Sequence, residues 1–166
     1  MTAFHVAVAA EAFAAGVLAQ AGCDVLVQYG ANQPEYDLVA SKGGKYLKVS
    51  VKGSQDGGWG LIQSYKKSGN SYHDAVDAWA ADHGPEVTFC FVQFEGVALG
   101  ECPRIYLAHV ADVAALLKAS RRGGGNTILY ENYTYKKGLG ANTTDRLPDT
   151  WKASRDRVHE LLQLSV

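Results

Sequence analysis

The chain reads as an α/β protein, a mixed sheet flanked by helices, and three features carry that reading. Its elements fall in the order α-β-β-β-α-β with additions after them, which places helices on the faces of a sheet. Short connections join the first three strands, as an antiparallel meander requires. The run "EVTFCFVQF" is continuously apolar, as expected of a strand covered on both faces.

Each element has its local reason. A first helix is expected over about Ala3 to Ala21, where alanine and leucine supply propensity and Gly22 ends it. Strands are expected at Asp24–Tyr29, Tyr36–Ala40 and Lys45–Lys52, with "GANQP" and "SKGG" as turns between them. In the third strand Leu47, Val49 and Val51 face one way and Lys48, Ser50 and Lys52 the other, because side chains alternate with period two. "GSQDGGWG" is too glycine-rich for regular structure and reads as a mobile loop. A helix at about Tyr72–Asp82 precedes the apolar strand; "RIYLAHV" adds a strand and "ADVAALLKASR" a helix. After "RGGGN" comes the tyrosine-rich "TILYENYTYKK". A last helix starts near Asp149, with Trp151, Val158, Leu161 and Leu162 on one apolar stripe.

Bulk properties narrow the function classes. A length of 166 residues, 47% hydrophobic and 20% charged, suits one globular domain and excludes a disordered chain. A net charge of −1 gives no global attraction to nucleic acid, so such a partner needs a local patch. Cys23, Cys90 and Cys102 are far apart, with no CxxC and no zinc spacing, and read as buried reduced thiols of a cytoplasmic protein. The apolar N-terminus ends in "LAQAGC" but lacks a basic flank and carries Glu11, against a signal peptide. It also reads as too short and too broken for a membrane span. P-loop, nucleophile-elbow and dinucleotide-binding patterns are absent.

Three ionisable residues stand out. Glu11 is the only formally charged side chain between Met1 and Cys23, either on a narrow exposed stripe or lowered toward the interior. Asp37 lies inside the strand "YDLVAS", immediately after "NQPE", where aspartate has poor strand propensity and is commonly a turn stabiliser. Lys52 ends the next strand, where a lysine is commonly solvated or guards an edge. Each has an ordinary account alone; the order helix Glu, strand Asp, strand x-Val-Lys is harder to explain that way.

The segment from Glu11 to Ser54 resembles the core of the PD-(D/E)XK nuclease superfamily, especially the branch similar to archaeal Holliday-junction resolvases and certain homing endonucleases. "AEAFAAGVLAQAG" matches the first helix, "PEYDLVA" the acidic strand and "LKVSVKGS" the (D/E)xK strand. The resemblance covers about the first third of the chain, and Val87–Phe94 would fit the fourth strand. It implies a restriction-endonuclease-like αβββαβ core, about residues 1–95 of a single domain, with αβ additions over 96–166. It also implies a DNA endonuclease using Mg²⁺ or Mn²⁺. Asp37 would be the main metal ligand, Glu11 would assist directly or through water, and the Val51 carbonyl would be a further ligand. Lys52 would orient the attacking water or stabilise the charged phosphate. Double-stranded or branched DNA, cut at two places, would suit a homodimer without membrane attachment.

The sequence departs from the family at Ser50, where Glu, Asp or Gln is usual. Water bridging to the ion, substitution by Gln55, Asp56 or Glu35, or loss of cleavage with retention of binding to nucleic acid or a protein partner would each follow. A binding surface is expected from Lys42, Lys45, Lys48, Gln55, Lys66 and Lys67, a stretch whose only acid between Lys42 and Lys67 is Asp56. Arg121 and Arg122 would add phosphate contacts or end a helix. Tyr130, Tyr133 and Tyr135 would stack on bases or pack a hairpin, and the loop with Trp59 would be a substrate flap or a pinned connection.

Overall fold

A computed structural model describes residues 1–28 and 36–164; the turn expected at "GANQP", Tyr29 and Glu35 lie outside them. The architecture is α/β, a five-stranded mixed sheet with helices on both faces. Strands β1 (Asp24–Val27), β2 (Leu38–Lys42) and β3 (Lys45–Ser54) form the antiparallel meander. Helix α2 (Tyr72–Asp82) crosses over to β5 (Val87–Gln93), which pairs parallel to β3, and β6 (Arg104–His109) pairs antiparallel to β5. Between β3 and α2 lies the short β4 (Gly58–Gly60). The sheet order is β1-β2-β3-β5-β6, with β5 buried along its whole length.

Two cores follow from the alternation. On one face, Leu47, Val49 and Val51 pack with Val6, Ala10, Ala14 and Leu18 of α1 (Ala3–Gln20) and with Val158, Leu161 and Leu162 of α4 (Arg155–Leu164). On the other, Phe89 and Phe91 pack with Val76 and Trp79 of α2 and with Val113 and Leu117 of α3 (Val110–Gly123). Thr2 caps α1, and Gly22 ends it at φ 87°, a conformation L side chains resist. The Lys42 ammonium donates to the Ala21 carbonyl at 2.8 Å, where cations suit a helix terminus. Gly43 and Gly44, at φ 59° and 79°, make the two-residue turn that fixes the β2–β3 register.

The structure revises several sequence expectations. "GSQDGGWG" is not a structureless loop: β3 runs on to Ser54, and Gly58–Gly60 forms β4, which pairs antiparallel with β7 (Ile128–Tyr130). Backbone pairing across a second small sheet outweighs the poor propensity of glycine. The tyrosine-rich segment divides between β7 and β8 (Asn132–Thr134), and β8 pairs with β9 (Thr144–Arg146). The last helix is broken: a 3-10 turn at Asp149–Trp151 precedes α4, because Ala153 N–H bonds to the Ile105 carbonyl and draws the chain onto β6. Cys102 is exposed, unlike Cys23 and Cys90. By length and composition α1 is apolar enough to cross a bilayer, although its inner stripe is buried against the sheet.

Close approach of α1 to β3 depends on Gly53. A methyl there would lie 2.8 Å from Val6 Cγ1 and 3.0 Å from the Val6 carbonyl oxygen. Gly53→Ala is therefore expected to destabilise the fold by about 1–3 kcal/mol, as overpacking does, measured by urea denaturation.

Candidate active site

The site is built where α1, β2 and β3 meet. Asp37 lies just before β2, its N–H donating to the Val49 carbonyl at 2.8 Å. Its carboxylate Oδ2 accepts the Val51 N–H at 2.6 Å, so a side chain continues the pairing where β2 begins. The Val51 carbonyl leaves the strand on the same side as that N–H, toward Asp37.

Glu11 projects from the flank of the buried stripe of α1. Partial burial, and then the charge of Asp37, hold its carboxyl above the usual carboxylate range. The two acids, distant in sequence, are near enough to repel each other. Glu11 also lines a cleft of about 410 Å³ together with Ala7, Lys52, Asp56, Trp59 and Leu61. Asp37 and Ser50 lie outside that lining, so Glu11 connects the cleft to Asp37.

Lys52 enters the cleft from β3, and no ion pair holds it among the described residues. Its backbone is fixed instead. Trp59, 3% exposed, donates its indole N–H to the Lys52 carbonyl at 2.9 Å while packing on Phe91 and Tyr106. Trp59 is thus a positioning residue on a pinned connection. Its role was hidden in the sequence because the partner is a backbone carbonyl; the aromatic among four glycines was the available signal.

Ser50 is 4% exposed and sits opposite Phe89 in the β3–β5 register, so its hydroxyl is not open to solvent. Of the residues offered as its substitute, Gln55 is occupied with the N-terminus, its amide donating to the Met1 carbonyl and accepting from the Met1 ammonium. Asp56 is exposed on the cleft and accepts the Ser54 hydroxyl at 2.8 Å. Glu35 lies outside the described residues. Among the described residues no group of three or more His, Cys, Asp or Glu side chains is arranged to hold a metal. A hard cation with several waters needs only one or two carboxylates, so Glu11, Asp37 and the Val51 carbonyl fit that smaller requirement.

The basic residues separate. Lys42 caps α1, Lys45 bonds Gln163 at 3.0 Å, and Lys48 pairs with Glu86 at 3.0 Å. Lys66 instead lies over the Tyr72 ring with Arg121, while Lys67 and Arg122 are exposed beside them. The tyrosines pack one another, Tyr130 stacked on Tyr133 at 4.3 Å and Tyr135 edge-on to both.

Partial burial of Glu11, and then the charge of Asp37, has a measurable sign. A carboxyl whose folded pKa is raised lets stability fall as pH rises through its titration. Glu11→Gln is therefore expected to raise the metal-free melting temperature near neutral pH by up to about 3 °C. The gain should disappear at acid pH, where Glu11 is protonated in folded and unfolded chains alike; thermal melts across pH check both. Comparison of the chain with protein-family models, curated proteins and solved structures finds no match.

Proposed function

We propose that the chain is a divalent-metal-dependent DNA endonuclease with a restriction-endonuclease-like αβββαβ core. The observation that carries the reading is the convergence of Glu11, from the first helix, on Asp37, from the start of β2, beside the cleft that holds Lys52. Two partly buried carboxylates that repel each other cost stability without a counter-charge, and a cation between them removes that cost. Glu11, Asp37 and the Val51 carbonyl would hold Mg²⁺ or Mn²⁺, which supplies Lewis-acid activation of water and of the phosphate.

The remaining work falls to the chain. Asp37 is oriented by the Val51 N–H, so one carboxylate oxygen is committed to the strand and the other is left for the ion. Lys52, without a competing carboxylate, presents its ammonium to the non-bridging oxygens of a phosphate in the cleft, where charge grows during attack. Trp59 fixes the strand from which that ammonium projects. With Glu11 and Asp56 also present, the cleft carries more acid than base. A phosphodiester would enter it readily only once metal is bound, which orders metal before phosphate within the cleft.

A second reading has one observation in its favour. Ser50 is buried and neutral where an acid is usual, which suits a nuclease-fold protein that binds nucleic acid or a protein partner without cutting.

Incubation of linear, branched and single-stranded DNA with the protein and Mg²⁺ or Mn²⁺ separates the two. Cleavage is expected from wild type and should fall by about 100-fold or more in Asp37→Asn and in Lys52→Ala. DNA binding by wild type without cleavage under any metal would select the second reading.

A further inference from the structure

Beyond the wall that carries Trp59, cations without an ion-pair partner among the described residues collect, Lys66 also donating to the Asn70 carbonyl at 2.6 Å. After Leu61, the last cleft residue, the chain makes a turn and reaches Lys66. The Lys66 ammonium lies 5.3 Å from the centre of the Tyr72 ring, and the Arg121 guanidinium carbon lies 5.2 Å from it. Gly140 packs against the Arg121 backbone, and Arg122 donates to the Ala141 carbonyl at 3.0 Å. The loop holding Gly140 and Ala141 also carries Lys136 and Lys137, both exposed. Three segments separate in sequence thus meet around Tyr72 and Arg121, and they carry Lys66, Lys67, Arg121, Arg122, Lys136 and Lys137. None of the six has an ion-pair partner among the described residues. Asp74, the nearest acid in sequence to Tyr72, is occupied by the Ser71 N–H and hydroxyl.

The backbone that presents the arginines is itself unusual. Arg121 and Arg122 adopt φ 55° and 60°, the left-handed region in which side-chain-bearing residues are strained. Glycine is the residue that conformation favours, and three glycines follow immediately. Two arginines stand there nonetheless.

We infer that this surface binds the sugar-phosphate backbone of nucleic acid and anchors the strand beside the cleft. The inference rests on the proposed reading of the cleft for the identity of its polyanion. Arg122 uses one of its guanidinium N–H groups on Ala141, leaving others to face phosphate oxygens. The tyrosines are spent on one another, so the surface holds backbone rather than stacked bases and carries no sequence preference of its own. Leu61 and Lys66 are five residue steps apart, a reach of at most about 18 Å. That is about five base-pair steps of duplex.

Fluorescence anisotropy of a labelled duplex with the full chain, in EDTA and over a salt series, tests this. In Arg121→Gly/Arg122→Gly the log–log salt slope should become shallower by about 1.8, two lost phosphate contacts. Its melting temperature should equal or exceed that of wild type, since glycine relieves the backbone. Arg121→Lys/Arg122→Lys, which keeps the charge, should retain the wild-type slope. Unchanged affinity and slope in the glycine pair, a lysine pair as weak as the glycine pair, or no duplex binding by wild type would each overturn the inference. Wild type that binds with the expected slope yet cleaves nothing in Mg²⁺ or Mn²⁺ would remove the hydrolytic reading while supporting the surface.

Discussion

The partial burial of Glu11 beside the charge of Asp37 is the constraint around which the rest is arranged. Neither carboxylate reaches the other by local structure: one is on the first helix, the other at the mouth of a hairpin. They meet because α1 lies on β3 closely enough for Val6 to occupy the space a side chain at Gly53 would take. They stay because the Val51 N–H holds Asp37 against the same strand. The packing thus keeps Glu11, its carboxyl raised by burial and then by Asp37, beside a second acid, a setting that a cation would relieve on the proposed reading.

Much of this was legible in the sequence, for definable reasons. Period-two alternation in "KYLKVSVKGS" assigned Leu47, Val49 and Val51 to a core, which the fold places under α1, and the apolar run assigned β5 its position covered on both faces. The isolation of Glu11 in an alanine-rich helix and the strand-averse Asp37 mark the two acids in the sequence itself. Interactions that use the backbone as partner were not legible. Nothing in the letters tells that Trp59 bonds the Lys52 carbonyl, that Gly58–Gly60 pairs with β7, or that Lys42 serves a helix terminus. Side-chain spacing encodes faces, whereas such bonds depend on where two distant main chains come to lie.

Charge is distributed with the same division. A run of lysines close in sequence is split by the fold into capping, ion-pairing and unpaired groups. Arg121 and Arg122, far along the chain, join the unpaired set through a ring they share with Lys66. An acidic cleft next to a basic surface is a sensible pairing for a metal-dependent enzyme on a polyanion. On the proposed reading the surface would collect the strand, and a bound cation would turn the cleft from repelling phosphate to attracting it.

Diffraction from a crystal soaked in Mn²⁺, recorded at the manganese absorption edge, tests the central claim most directly. The account predicts an anomalous peak between the Glu11 and Asp37 carboxylates, within coordination distance of Asp37 and the Val51 carbonyl. A well-ordered site with no peak there at saturating Mn²⁺, or a peak only at other acids such as Asp56, would contradict it.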